Sequence, residues 1–385
     1  MAQNRLDVLD GLRGLAVVLV VWFHIWQISW LPAPIAILQF IPETGFIGVH
    51  LFFFLSGFVI AYPFVRAAFD RTEPPAWGHF AYRRAIKIVP SYVLSIALCY
   101  AIGYQHRQSS AGALEDILSH LFFVHNLWPD TYGAINGVLW TLAVEVQFYC
   151  IFPIIWPAFA RRPIITFLGL NVLAIAYRLH VQSAPDASRL IELLPGYLDL
   201  FACGMIAAYA YVRLRAKSAY PAVRVSATLF ALVGFALLTI LMESLFSVRH
   251  AQSDWPLHWE AANRTWLAFA FAFIALASLC AASWWKRLLA NPFLVFFSII
   301  SYNLYIYHQL VARELLSLRI PSWAGTSPQF DHHWQIWYTA IAFPATIVVA
   351  AIVTYGFERP LLRTEPQFWF RYLEPLWQRT RSAGR

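Results

Sequence analysis

The chain has 385 residues, of which 60% are hydrophobic, 17% aromatic and only 12% charged, with a formal net charge of +8. A water-soluble domain of this size has to cover its surface with polar groups, and this composition excludes one. It suits an all-α integral membrane protein whose outer surface faces lipid.

Runs of about twenty apolar residues, the length that crosses a bilayer, predict ten spans. They lie over residues 11–30, 45–65, 88–104, 140–160, 164–181, 196–212, 222–243, 264–283, 292–312 and 337–357. With the N-terminus inside, all but seven of the 28 Lys and Arg residues fall on the inner side, the exceptions being Arg107, Arg178, Arg189, Arg249, Arg264, Arg313 and Arg319. That bias predicts both termini in the cytoplasm. Asp7 and Asp10 stand before the first apolar segment and no small-residue cleavage site follows it, so the first helix is expected to stay in the fold.

The polar breaks over 66–87, 105–139, 244–263 and 313–336 are too short for separate domains. The chain therefore reads as one transmembrane domain over 1–360 followed by a basic cytoplasmic tail over 361–385. The outer breaks contain "HNLWPD", "DWPLHWE" and "DHHWQIW", which suit an interfacial aromatic belt. Cys99, Cys150, Cys203 and Cys280 lie in apolar segments without metal-ligand spacing, so they are expected as buried small hydrophobes, and no metal is expected. The basic residues are scattered among apolar segments, which makes the lipid bilayer the expected partner and nucleic acid an unexpected one.

An ionisable group in the bilayer core is costly, so each one marks a functional candidate. His24 lies in the first span, Glu145 in the fourth, Asp199 in the sixth and His308 in the ninth, with His50 and Arg178 nearer span ends. Arg13 and His24 are eleven residues apart, which is three helical turns, so they share a face with a rise of roughly 16 Å between them. Asp10 joins that face one turn earlier. A cation at the inner entrance and an imidazole near mid-membrane are what a long ligand needs if it is held by an anionic end and presents its far end to a base. In the fourth span Thr141, Glu145 and Tyr149 form a polar stripe, and in the ninth Ser301, Tyr305 and His308 share a face. Taken singly, such residues also serve as interhelical locks. Together, His24 and Glu145 suggest a base polarised by a carboxylate, as acyl transfer to a hydroxyl requires. Arg83, Arg84 and Lys87 crowd the inner face, and with Arg13 they suggest a clamp for a phosphate-bearing acyl donor such as coenzyme A.

These segments resemble the acyltransferase-3 family, bacterial membrane O-acyltransferases that act on cell-surface glycans, lipids and small metabolites. "LDGLRGLAVVLVVWFH" is similar to its Arg-x10-His signature, "GFIGVHLFFFLSGFVI" to its Gly-Val-x-x-Phe-Phe-x-x-Ser-Gly-Phe segment, and "RRAIKIVPSY" to its Arg-x-x-Arg block with Lys87 in the second place. "LWTLAVEVQFYCIFP", "SYNLYIYH" and "GFERP" follow in the family's order, while His50 stands where many members carry an acidic residue. The resemblance implies a multi-pass enzyme of the bacterial inner membrane. It would move an acyl group, most often acetyl, from cytoplasmic acyl-coenzyme A to a hydroxyl of a carbohydrate, glycolipid or related small molecule, alone or with glycan-assembly proteins. His24 and Glu145 are then the expected catalytic residues and Arg13, Arg83, Arg84 and Lys87 the donor-binding ones. Asp10, Ser56, Tyr149, Tyr305 and His308 are expected to line the cavity. A proton-coupled transporter or flippase with a His/Glu relay is the alternative; no inverted repeat supports it.

Overall fold

The computed structural model describes residues 6–103, 110–251 and 255–363. Most of the expected tail, from residue 364 on, and Arg107 lie outside the described residues. Ten helices are long and apolar enough to cross a membrane, and every described element is helical or irregular. The spans are α1 (Asp7–Ser29), α2 (Gly48–Asp70), α3 (Trp77–Ala101), α4 (Trp140–Arg161) and α5 (Pro163–Val181). They continue with α6 (Leu198–Leu214), α7 (Pro221–Ala251), α8 (Trp255–Cys280), α9 (Pro292–Ser317) and α10 (His332–Val353). The chain is a multi-pass membrane protein.

Several helices outrun the apolar runs that predict them. α3 starts at Trp77, eleven residues before the expected 88, so Arg83, Arg84 and Lys87 sit on a helix rather than in a connecting loop. α8 starts at Trp255, which brings Glu260 into the helix one turn before Arg264. The connection before α4 holds a further helix, Ser110–Leu121, and then folds down so that the Asn136 side chain donates to the Ile306 carbonyl at 2.9 Å. The hydropathy of these stretches is broken by polar residues that the fold buries and pairs, which is why apolar runs alone stop short of them.

The centre of the bundle is made by α1 against α9 and by α2 against α6. In membranes helices associate by close packing, which favours small residues at contacts. A Cβ on Gly57 would come within 2.2 Å of the Phe201 carbonyl oxygen, and one on Gly204 within 2.1 Å of that of Phe54. Only glycine permits this α2–α6 crossing. α10 ends in a wide π turn over Thr354–Glu358, which turns the Glu358 carboxylate into the bundle.

Three of the four cysteines are buried as expected; Cys150 is exposed on the outer surface of α4. The aromatic outer segments divide. Trp128 and Trp337 are exposed, as a belt requires, whereas Trp259 and Trp334 are buried with their indole N–H groups donating to Ser244 and to the Pro321 carbonyl.

Candidate active site

α1 rises from Arg13 to His24, and two cavities follow it. The one at the Arg13 end of α1, called inner for its place along that helix, is a neck of about 30 Å³ lined by Arg13, Phe52, Thr141, Glu145, Ser301 and Tyr305. The one at the His24 end, called outer in the same sense, is a cavity of about 460 Å³ lined by His24, His50, Trp140, Glu260, Tyr305 and Arg313, among others. Val49 and Tyr305 line both, so they form the partition between the two.

His24 stands at the outer cavity with a different partner from the one expected. Its Nδ1 lies 2.9 Å from the Val20 carbonyl oxygen and 3.1 Å from Nε2 of His308, and the two ring centroids are 4.7 Å apart. A carbonyl oxygen only accepts, so Nδ1 of His24 carries the proton. The same reasoning fixes His308, whose Nδ1 lies 2.7 Å from the Tyr305 carbonyl oxygen and 3.1 Å from that of Leu304. Neutral His308 then presents an Nε2 lone pair, which accepts from His24. Nε2 of His24 keeps its own lone pair, and no group of the described residues occupies it. This is the state a general base needs.

Glu145 is not part of that pair. It lines the inner neck beside Arg13, where it accepts from Ser56 Oγ at 2.5 Å and from the Tyr149 hydroxyl. Along α4, Trp140 reaches the His24 cavity, and Glu145, five residues further on and roughly 7.5 Å along the helix, reaches the neck instead. The Tyr149 ring in turn lies under the Arg84 guanidinium at 5.6 Å, and the Phe80 ring at 5.9 Å. Arg84 Nε is buried without a hydrogen-bond partner among the described residues. Arg13 donates to Ser301 Oγ at 3.2 Å and lies 5.8 Å from the Phe52 ring centroid. Thr141 donates to the Tyr305 hydroxyl at 2.8 Å, which holds that ring at the partition.

The other expected residues are placed differently. Lys87 is ion-paired with Glu358, which also accepts from Asn303 at 2.9 Å, so its charge is already met within the fold. Arg83 is exposed. Asp10 sits in the first turn of α1, where a carboxylate complements the helix N-terminus, and it accepts from Ser298 at 3.5 Å.

Sequence reasoning singled out His50, Asp199 and Arg178 but missed the partners Glu260, Arg264 and Glu192 that build the wall of the outer cavity with them. Glu260 accepts from Arg264 at 2.8 Å and lies 2.9 Å from His50 Nε2, and Arg264 reaches Glu192 at 3.4 Å while its guanidinium covers the Tyr197 ring at 3.9 Å. Behind it, buried Arg178 pairs with Asp199 at 2.9 Å, and Thr265 links the two. Burial pushes the Glu192 carboxyl up, against the pull of Arg264 and with the like charge of Glu260 adding to the rise. The Glu-x-x-x-Arg spacing of Glu260 and Arg264 was the available signal, since groups four apart meet on one helix face.

The profile of the acyltransferase domain family matches residues 6–355. The peptidoglycan O-acetyltransferase OatA of Listeria monocytogenes is 30% identical over 162 residues, covering 39% of this chain and 23% of that protein. The O-acetyltransferase OatA of Staphylococcus aureus is 26% identical over 319 residues, covering 78% of this chain and 49% of that protein. The chain spans about half the length of the longer-aligned curated relatives it matches. No solved structure matches it. With a match that runs from the first turn of α1 to the end of α10, the chain belongs to the acyltransferase-3 family of acyltransferase domains.

Proposed function

We propose that the protein is an O-acyltransferase of the bacterial inner membrane, with both termini cytoplasmic. It takes an acyl group, acetyl in the first instance, from cytoplasmic acyl-coenzyme A and places it on a hydroxyl of a cell-surface carbohydrate or glycolipid. The observation that carries this reading is the free Nε2 of His24 at the outer cavity, directly across the Tyr305 and Val49 partition from the neck that holds Arg13.

In this mechanism the acceptor enters the outer cavity, whose walls combine the Trp140 and Tyr197 rings with the Glu260 and Glu192 carboxylates. Flat apolar rings beside hydrogen-bonding groups suit a sugar. His24 Nε2 takes the hydroxyl proton as the oxygen forms its bond to the acyl carbon and the carbon–sulfur bond breaks. The same proton then passes from His24 to the leaving sulfur. His308 accepts from the imidazolium through its Nε2 and so acts as a positioning residue. At the inner face Arg13 and Arg84 bind the donor's phosphates, with Glu145 positioning Arg84 through the Tyr149 ring. At about 30 Å³ the neck is too narrow for the acyl-bearing arm as it stands, so the arm has to part Phe52 and Tyr305 to bring the thioester to His24. A His24–Glu145 proton relay, on which the transporter alternative depends, finds no support in two groups that line different cavities.

The test is transfer of label from radiolabelled acetyl-coenzyme A to host envelope glycans by purified protein in proteoliposomes. Wild-type protein is expected to label the glycan and His24→Ala to lose at least a hundredfold, the lower end of what a positioned base contributes, about 10²–10⁴. Undiminished labelling by His24→Ala would remove the mechanism.

A further inference from the structure

We propose that a third cavity, at the Arg13 face of the membrane and away from both chambers above, is a binding site for the headgroup of an anionic phospholipid. It has a volume of about 440 Å³ and lies where α2, α4 and α6 end, lined by Arg71, Arg161 and Arg213. Its walls include Trp156, Phe159 and Val212, which continue toward the membrane interior.

Charge singles this cavity out. Helix C-termini attract cations, and each is worth roughly half a negative charge, so the three helix ends account for about half of the arginine charge. The N-terminus of α5 opens on the same cavity at Pro163 and returns roughly half a positive charge. An excess of about two positive charges is left in one chamber. None of the three arginines has a carboxylate partner among the described residues. Asp70, next to Arg71 in the chain, is taken by Arg66 at 3.2 Å and by Arg215 at 2.9 Å. Arg213 is held instead over the Tyr209 ring at 4.5 Å. Three guanidiniums that repel one another, and an apolar wall beside them, are complementary to a phosphoryl group that carries acyl chains.

The site is tested on the full chain in nanodiscs of phosphatidylcholine alone or with added phosphatidylglycerol. Wild-type protein is expected to retain phosphatidylglycerol in native mass spectrometry and to show a higher Tm when it is present. The triple variant Arg71→Gln, Arg161→Gln, Arg213→Gln is expected to lose both effects while keeping its Tm in phosphatidylcholine, with affinity falling about fivefold per substitution. Arg161→Gln alone, expected to weaken retention about fivefold, serves if the triple variant does not fold. Undiminished retention by these variants overturns the proposal. Stabilisation by inorganic phosphate equal to that by the lipid overturns it in favour of a soluble phosphoester. Loss of acetyl-coenzyme A affinity in the variants overturns it by assigning the arginines to the donor.

Discussion

Replacing His308 by Phe keeps an aromatic ring against α1 and removes the acceptor that His24 Nδ1–H meets at 3.1 Å. The bond to the Val20 carbonyl at 2.9 Å survives, so the tautomer of His24 is kept. What is lost is one hydrogen bond, and it matters most when His24 has taken the acceptor's proton. A hydrogen bond to a charged group contributes about 1.5–3 kcal/mol, which predicts a fall in kcat of roughly ten- to 150-fold. An interaction made mainly in the transition state lowers kcat and leaves the donor KM unchanged. The assay is thiol release from acetyl-coenzyme A by purified protein in proteoliposomes supplied with envelope glycan. A His308→Phe enzyme with wild-type kcat, alongside an inactive His24→Ala enzyme, would show that the ring pair has no part in the chemistry. A change confined to KM would place His308 in binding instead.

Lys87→Ala leaves the Glu358 carboxylate, 4% exposed, with only Asn303, and is expected to cost about 2–3 kcal/mol, less than the loss of a fully buried pair because Lys87 keeps some solvent contact. Thermal unfolding in detergent checks it, and adding Glu358→Gln should restore much of the loss. Arg84→Ala is expected instead to raise the donor KM with little change in Tm; an unchanged KM would leave that side chain a topological role only. Gly204→Val should lower stability by about 1–3 kcal/mol or more, since its side chain would meet the Phe54 carbonyl, and an unchanged Tm would contradict the close crossing. His120 and His125, outside the spans, stack at 3.8 Å in a buried pocket, and burial holds both rings below the ordinary imidazole range. The unfolded chain then takes up protons that the folded one refuses. Stability is therefore present above the unfolded value of about 6.5 and falls as pH drops through it, by up to about 1.4 kcal/mol per pH unit for each ring. His125→Phe keeps the stack and should flatten the acid side of a Tm-against-pH curve.

The residues that reasoning from sequence singled out separate by the range of the interaction involved. Arg13, His24 and their shared face follow from one helix, and α1 carries them as read. Thr141, Glu145 and Tyr149 also share a stripe on α4, with Tyr149 bonded to Glu145 as spacing alone requires. The pairing between helices did not follow in the same way. Glu145 and His24 were natural partners by chemistry, yet they line different cavities, and His308 of α9 takes that place. Lys87 looked like a free cation until the π turn after α10 delivered Glu358 to it.

By itself the sequence determined the solvent this protein lives in, the number of its spans and the spacing of Arg13 and His24 along one of them. These depend on local quantities: a bilayer needs about twenty apolar residues, and a helix repeats every 3.6. Tertiary structure decided which buried polar groups meet. It made His308 the partner of His24, moved Glu145 to the inner neck, and built the outer wall from Glu260, Arg264 and His50, three residues on two helices 210 positions apart at the His50–Glu260 contact. In lipid a polar side chain needs a partner but not a particular one. The choice is set by helix crossings, such as that at Gly57 and Gly204, and apolar periodicity does not encode those.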